Sequence, residues 1–501
     1  MTFPRLSGIL LHPTSLPGPH GIGELGPSAH KFIDFLAESE SHLWQVLPLG
    51  PTGYGDSPYQ SFSAFAGNPY LISLDELIVD GLLIPEDLEV MPDWPSDRVD
   101  YGALIQWKLS VLECAFNRFT ANPSSELQTA LTKFSAENAA WLDDFALFMA
   151  MKEAHGGGAW GGWPEPLRKR EVGALALARA TCRDQIARFT FYQFLFYRQW
   201  VAVRAHAHQR GIQIIGDIPI FVAYDSADVW SHPELFYLDE QDKPTVVAGV
   251  PPDLFSPTGQ LWGNPLYKWE VHKIDGYIWW RERLRTTLKV VDILRLDHFR
   301  GFAGYWEIPA GSPTAETGRW APGPGADLFD ALVADLRQTT GKFELPLIAE
   351  DLGVITADVV ELSERYHLPG MKILQFGFSG PDNPFLPHNY IPNCVAYTGT
   401  HDNDTARGWF ETAPEDEKNF ALRYMNVEGS HFSWDLIRAI WASVAVFAIA
   451  PMQDLLDLGT EARMNFPGKL GGNWEWRMAD DDLSDELGKK LRALNYLYRR
   501  S

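Results

Sequence analysis

Short apolar runs recur along the chain, and each ends in polar or glycine-rich sequence. Most of them lead into a segment with apolar residues at helical spacing, as Phe32, Ile33 and Leu36 show after the first run. A continuous apolar run between helices is typical of a parallel strand that is buried on both faces. The pattern predicts eight such strands, at residues 8–12, 44–49, 212–220, 291–299, 345–352, 371–378, 394–400 and 445–452.

Parallel strands that alternate with helices in this number predict an α/β fold, a (β/α)8 or TIM barrel. A doubly wound open sheet is the structural alternative, because periodicity does not show whether a sheet closes. Residues 75–185 are predicted as a mostly helical insertion, and residues 225–285 as a loop-rich insertion that covers the active site. We expect residues 1–501 to form a single catalytic barrel, without a C-terminal β-domain after the amphipathic helix near 482–500.

The chain is acidic, with a formal net charge of −23. Such a charge disfavours nucleic acid and anionic membranes as partners, because binding to phosphate depends on lysine and arginine contacts. A neutral substrate such as a sugar meets no such repulsion. The charge also keeps a protein soluble, so it narrows the class of ligand without identifying one.

The three cysteines, Cys114, Cys182 and Cys394, lie far apart and form no CxxC pair. This argues against a disulfide framework and against a zinc site, and it is consistent with a reducing compartment. The apolar run near the N-terminus is too short for a signal peptide, and no segment approaches the ~18 apolar residues of a membrane span. We therefore expect a cytoplasmic protein.

Four of the predicted strands end in, or lead directly to, an acidic residue. The carboxyl ends of barrel strands converge on one face, where the active sites of this fold lie. An acid directly after a buried strand is costly unless another group pairs with it or a reaction uses it. We therefore expect one shared site that contains Asp217, Asp297, Glu350 and Asp402.

Two of these acids suit the cleavage of a glycosidic bond. Arg295 precedes Asp297 by two positions on a strand, so the two side chains point the same way and the cation holds the carboxylate ionised, as a nucleophile requires. Glu350 follows an apolar run beside other negative groups, and both conditions raise a carboxyl pKa, as a general acid requires. Carboxyl groups about 5–5.5 Å apart give retention of configuration. Asp402, with His401, is placed to bind sugar hydroxyls.

Long segments of the sequence resemble the 4-α-glucanotransferases of glycoside hydrolase family 77, the amylomaltases. They include SGILLHPTSLPGPHGIGELG near the start, RLDHFRGF around Asp297, IAEDLG around Glu350, TGTHDNDT around Asp402 and RMNFPGKLGGNWEWR near the end. Further matching segments are residues 53–72, 216–230 and 249–269. The likeness covers essentially the whole chain.

The resemblance implies a (β/α)8 barrel with insertions and no C-terminal β-domain. It implies Asp297 as nucleophile, Glu350 as general acid/base and Asp402 as transition-state stabiliser, supported by Arg295, His401 and Asp217. Sugar contacts are expected at Tyr59, Asp217, Ser57, His298 and Asn465, and on a mobile loop over the acceptor side with Phe255, Gln260 and Trp262. Tyr54 and Tyr101 match a remote glucan-binding surface.

The implied reaction moves a segment of an α-1,4-glucan donor to glucose or a maltodextrin acceptor, with no cofactor and no metal. A plain α-amylase-type hydrolase would use the same three carboxylates and is the alternative. A non-catalytic glucan-binding module would be expected to lack one of them. A phosphorylase would need a phosphate cradle, and no GxxxxGK[ST] loop occurs. No HExxH or EF-hand spacing indicates a metal, and the oligomeric state stays open.

Overall fold

The computed structural model describes residues 3–252, 256–469 and 471–500, apart from the side chain of Tyr54. Its strands are β1 Leu6–Leu10, β2 Leu43–Gln45, β3 Gln213–Pro219, β4 Val246–Val250, β5 Gln260–Pro265, β6 Ile293–Asp297, β7 Gly304–Pro309, β8 Arg319–Pro322, β9 Leu347–Ala349, β10 Gly370–Ile373, β11 Cys394–Tyr397 and β12 Phe447–Pro451.

Eight parallel strands close into a barrel in the order β1, β2, β3, β6, β9, β10, β11, β12 and back to β1. Each of them overlaps one of the predicted apolar runs. Almost every residue of these strands is buried, and β2, β9, β11 and β12 are buried throughout. The predicted barrel is therefore confirmed, and the open-sheet alternative is wrong.

The α-helices surround the barrel and fill the long connections between its strands. They are α1 Pro27–Glu38, α2 Leu74–Val79, α3 Tyr101–Ala121, α4 Ser125–Ala154, α5 Glu165–Arg168, α6 Val172–Thr181, α7 Arg183–Gln209, α8 Ala227–Ser231, α9 Trp269–Ile274, α10 Ile278–Leu288, α11 Arg300–Ala303, α12 Gly325–Thr340, α13 Ala357–Arg365, α14 Ala406–Thr412, α15 Glu415–Met425, α16 Phe432–Ala442, α17 Met452–Leu455 and α18 Asp485–Tyr498. In the described part of the chain, none of the helices has the length and apolarity needed to cross a membrane.

Helix α7 joins the helical part between β2 and β3 to the barrel. At one end its aromatic residues pack on α4, where the rings of Phe134 and Tyr197 are 5.5 Å apart. Further along, the indole N–H of Trp200 donates to the Val290 carbonyl oxygen over 2.8 Å, and its ring lies 6.2 Å from Trp44 of β2. The helical part is thus continuous with the core of the barrel.

Residues 225–285, which were expected to form a loop-rich insertion, also contain regular secondary structure. This interval contains α8, α9, most of α10 and the antiparallel strands β4 and β5. They form a second sheet with the later strands β7 and β8, in the order β5, β4, β7, β8. The pairing joins Val247 to Ile308, on the far side of β6 in sequence, so no local pattern could reveal it.

Candidate functional site

Arg295 lies between two carboxylates at the carboxyl ends of β3 and β6. Asp217 and Arg295 are partners in the parallel pairing of these strands, so their side chains lie beside each other. Nη1 of Arg295 is 2.6 Å from Oδ2 of Asp217, and Nη2 is 2.9 Å from Oδ1 of Asp297. The expected contact between Arg295 and Asp297 is present, and Asp217 is a second partner.

The three charged side chains, those of Asp217, Arg295 and Asp297, differ in their exposure to solvent. The side chains of Asp217 and Arg295 are 0 % and 4 % exposed, whereas that of Asp297 is 28 % exposed. Burial alone would lower the pKa of Arg295, but the two carboxylates outweigh it and raise that pKa. Burial also raises the pKa of Asp217, which Arg295 partly opposes. Arg295 therefore stays charged and holds the exposed carboxylate of Asp297 in place.

Glu350 follows β9 and lies next to Asp297. The strands pair Leu296 with Ala349, so Asp297 and Glu350 are the next residues along that register. The backbone N–H of His298 donates to Oε2 of Glu350 over 2.7 Å, and that of Leu352 donates to Oε1 over 2.9 Å. The carboxyl of Glu350 is thus bonded to the peptide group that directly follows Asp297.

Burial and the charge of Asp297 raise the pKa of Glu350 to about 8. Arg295 and the two backbone donors act in the opposite direction but do not cancel this effect. Glu350 therefore holds a proton at neutral pH, while Asp297 lies against a cation. A protonated carboxyl beside a carboxylate that is paired with arginine is the arrangement that acid-assisted displacement at an acetal requires.

Asp402 lies on the loop after β11, with its side chain 45 % exposed. Its Oδ1 accepts a hydrogen bond from the amide of Asn465 over 2.6 Å, and its carbonyl oxygen accepts one from Arg463 over 2.7 Å. Nε2 of His401 is 3.4 Å from Oδ2. Burial lowers the pKa of His401, which therefore remains neutral beside Asp402.

Tyr59 connects the two sides of the site. Its ring stacks on His401, with ring centroids 5.1 Å apart and planes at 19°. Its hydroxyl donates to Oδ2 of Asp217 over 3.0 Å. Burial and the charge of Asp217 raise the pKa of Tyr59, so the hydroxyl stays protonated. The ring of Tyr59 thus bridges the group around Arg295 and the loop that carries Asp402.

Strand β5 brings Gln260 and Trp262 to the carboxyl end of β6. The indole N–H of Trp262 donates to Oε1 of Gln260 over 3.1 Å. The Trp262 ring meets His298 edge to face, with centroids 4.8 Å apart. Burial lowers the pKa of His298 to about 4, so its imidazole is neutral there. Asn264 of the same strand is buried, and its side-chain amide donates to the Val222 carbonyl oxygen.

The remaining predicted contacts lie in different surroundings. Ser57 is next to Tyr59 and accepts a hydrogen bond from its backbone N–H over 3.3 Å. Tyr101 is only 7 % exposed, and its hydroxyl donates to the Trp474 carbonyl oxygen, which leaves little of the ring for a sugar. Phe255 and the side chain of Tyr54 lie outside the described residues.

The sequence reasoning missed two residues of the site. Trp474 packs against both Tyr59 and His401, with ring centroids 5.8 Å from each. Arg463 donates to the backbone of Asp402. Both belong to the segment RMNFPGKLGGNWEWR, in which only Asn465 was expected to have a role. The dense glycine and tryptophan residues of that segment were the available signal.

The fold and the site together define a class of protein. A closed (β/α)8 barrel carries a carboxylate paired with arginine, a protonated carboxyl beside it, and a third carboxylate on a loop that His401 and Tyr59 connect to the group around Arg295. Enzymes that break glycosidic bonds by acid-assisted displacement have this set of groups.

The chain belongs to the 4-alpha-glucanotransferase family, glycoside hydrolase family 77, whose sequence model matches residues 11–483. It is 54 % identical to a 4-alpha-glucanotransferase of Thermus thermophilus over 99 % of both chains, and 49 % identical to one of Synechocystis over 99 % of this chain and 98 % of the other. Its fold matches the amylomaltase of Streptococcus agalactiae in complex with acarbose, with a TM-score of 0.95 and 42 % identity over 99 % of this chain and 100 % of the other.

Proposed function

We propose that this protein transfers a segment of an α-1,4-glucan to the 4-hydroxyl of an acceptor glucose or glucan by a retaining double displacement. Family membership supports the reaction. The observation that carries the mechanism is the contrast between Asp297, which is paired with Arg295, and Glu350, whose pKa is raised to about 8.

In the first half of the reaction, Asp297 attacks the anomeric carbon of the donor. The bond from that carbon to the leaving 4-oxygen breaks, and Glu350 gives its proton to this oxygen. The released glucan departs and the remaining segment is bound covalently to Asp297. Asp402, held by Asn465 over 2.6 Å, is the group that we assign to the hydroxyls of the reacting sugar.

In the second half, Glu350 acts as a base. It removes the proton from the 4-hydroxyl of the acceptor, whose oxygen attacks the anomeric carbon and displaces Asp297. The configuration is inverted twice and so retained. If water took the place of the acceptor, the same steps would give hydrolysis.

Transfer therefore depends on binding an acceptor sugar and excluding water. Trp262 supplies an aromatic surface 4.8 Å from His298, directly after Asp297, and Gln260 is bonded to its indole. Aromatic rings stack on the apolar faces of sugars, so β5 is suited to hold the acceptor.

The product pattern from maltotriose tests the proposal. We expect glucose together with a ladder of longer maltodextrins, whereas a hydrolase would yield only shorter sugars. Asp297→Asn should reduce kcat by more than ~10³ and still bind glucan, since removing a catalytic group typically costs that order. Turnover by this variant at a rate near that of the wild type would refute the assignment.

We also propose a cytoplasmic location. Its support is chemical, because Cys114, Cys182 and Cys394 are all free thiols and reducing compartments keep thiols in that state. A relative from Arabidopsis thaliana, 46 % identical over 99 % of this chain, carries the description chloroplastic/amyloplastic. Fractionation of the source cells, followed by detection of the protein, distinguishes the compartments.

A further inference from the structure

Trp474 contacts the site but takes no part in the proposed chemistry. Trp474 is buried, with only 5 % of its surface exposed. Its ring centroid is 5.8 Å from those of Tyr59 and of His401, which stack on each other at 5.1 Å. The three rings therefore form one aromatic group in which each ring contacts the other two.

The backbone of Trp474 is held in a conformation that a tryptophan rarely adopts. Its φ is +66°, in the left-handed region that favours glycine. Hydrogen bonds fix it on both sides: its N–H donates to the Met464 carbonyl oxygen over 2.7 Å, and its own carbonyl oxygen accepts from the Tyr101 hydroxyl over 3.1 Å. Strained residues that the surroundings hold so firmly cluster at functional sites.

The bond to Met464 connects Trp474 to the carboxylate side of the site. The next residue, Asn465, donates to Oδ1 of Asp402, and its backbone N–H donates to the His401 carbonyl oxygen over 3.1 Å. Residues 463–465 and Trp474 thus form a clamp around His401 and Asp402. On the opposite side, the hydroxyl of Tyr59 donates a hydrogen bond to Asp217.

We infer that Trp474 is a positioning residue that sets the orientation of Tyr59 and His401, and through them of Asp217 and Asp402, for the reaction. The inference rests on the proposed function. A displacement of catalytic groups by about 1 Å can cost about 10²-fold in rate. Because the Trp474 ring holds Tyr59 and His401 in place, its loss should therefore lower kcat more than it weakens substrate binding.

Three variants separate this role from ordinary core packing. Trp474→Leu removes the ring. Trp474→Gly also removes it, while glycine adopts the positive φ without steric cost, so the clamp keeps its backbone path. Trp476→Leu is the matched control, because Trp476 is also buried, at 8 % exposure, and lies two residues further along, where its backbone pairs with that of Arg98.

The measurements are kcat and KM for maltotriose, the melting temperature, and calorimetric binding of maltotriose in the Asp297→Asn background. We expect both Trp474 variants to lose about 10- to 100-fold in kcat, with less than about threefold change in KM and in binding affinity. The control should lose thermal stability to a similar extent but keep kcat within about threefold.

A kcat within threefold of the wild type in both Trp474 variants would overturn the inference. Equal losses of kcat in Trp476→Leu and the Trp474 variants would overturn it as well, because the effect would then follow stability. The proposed function is tested separately by the wild-type product ladder: a wild type that makes no longer sugars contradicts the function, whereas an active wild type with active Trp474 variants contradicts only the positioning role.

Discussion

The guanidinium of Arg295 contacts two carboxylates that have different surroundings. The carboxylate of Asp217 is fully buried, so it fixes the position of the guanidinium and cannot reach a substrate. The carboxylate of Asp297 is partly exposed and is the one of the two that solvent reaches. A buried ion pair that loses one partner leaves an uncompensated charge, so we expect Asp217 to hold the Arg295 guanidinium beside the proposed nucleophile without touching that nucleophile.

The protonation of Glu350 leads to a prediction about pH. Its pKa, raised to about 8 by burial and by Asp297, leaves the acid protonated below that pH and ionised above it. Because the first step consumes this proton, kcat/KM should fall as pH rises through about 8. Initial rates with maltotriose from pH 5 to 10 measure the profile, and a flat alkaline side would contradict it.

Glu350→Gln provides the control for that profile. The amide has no acidic proton, and general acid–base catalysis contributes about 10²–10⁴-fold, so maltotriose turnover should fall by that order. A maltosyl fluoride donor needs no protonated leaving group, so the variant should still release fluoride in its first turnover. Equal impairment of that first release would argue against Glu350 as the general acid.

At the scale of elements, the second sheet determines which side chains face the carboxyl end of β6. Strand β5 forms one edge of that sheet and places Trp262 against His298. The segment before β5 is anchored to the hairpin between β7 and β8, where the N–H of Ala315 donates to the Thr258 carbonyl oxygen over 3.1 Å. The proposed acceptor side of the site therefore lies on a sheet that is separate from the barrel.

Replacing Trp262 with alanine should favour water over the acceptor sugar. A ring contact contributes about 0.5–1.5 kcal/mol. If the variant loses this energy from acceptor binding and hydrolysis is unaffected, the ratio of transfer to hydrolysis should fall by about 2- to 12-fold. Trp320→Ala is the matched control, because Trp320 is 43 % exposed on β8 at the opposite edge of the same sheet. Quantifying new reducing ends against the maltodextrin ladder gives the ratio, and an unchanged ratio in Trp262→Ala would contradict the role of β5.

The barrel could be predicted from the sequence because each of its strands overlaps a mostly apolar run. The acids were predictable for the same reason, since Asp297 and Glu350 stand where such runs end. Strands β7 and β8 carry no such signal: β8 is short and mostly exposed, and its pairing depends on β7 and β4. The second sheet is a product of long-range pairing.

Trp474 shows the same limit at the site. Its contact with Tyr59 brings together residues near opposite ends of the chain, and this contact depends on barrel closure, which places β1 beside β12. Local periodicity contains no information on such a contact. The positive φ of Trp474 is also invisible in the sequence, because that conformation is typical of glycine and not of tryptophan.

For the whole molecule, one buried carboxylate ties the barrel's first loop to the helical part. Glu24 is bonded to Lys108 of α3, to His20 over 3.0 Å and to the backbone N–H of Leu74 at the start of α2. Among the described residues, His20, Glu24 and Asp75 are grouped closely enough to hold a metal ion. The ammonium of Lys108, which is 0 % exposed, already places a cation against Glu24. This group therefore acts as a structural ion pair between two parts of the fold.

Lys108→Met should destabilise the protein strongly without changing its chemistry. It leaves the Glu24 carboxylate buried and unpaired, and breaking a buried pair in this way costs about 3–5 kcal/mol in the free energy of unfolding. Adding Glu24→Gln to the same variant removes the orphaned charge and should restore much of that loss, because the two sites are in contact.

Lys133→Met is the control, since Lys133 and Glu137 form an exposed pair on α4 and should contribute nothing measurable. Urea unfolding gives the free energies, and kcat at low temperature should stay within about twofold of the wild type in every variant, because a stability change far from the reacting groups leaves transition-state contacts intact. A double variant less stable than Lys108→Met alone would show that Glu24 is held by His20 and Leu74, and not by the lysine.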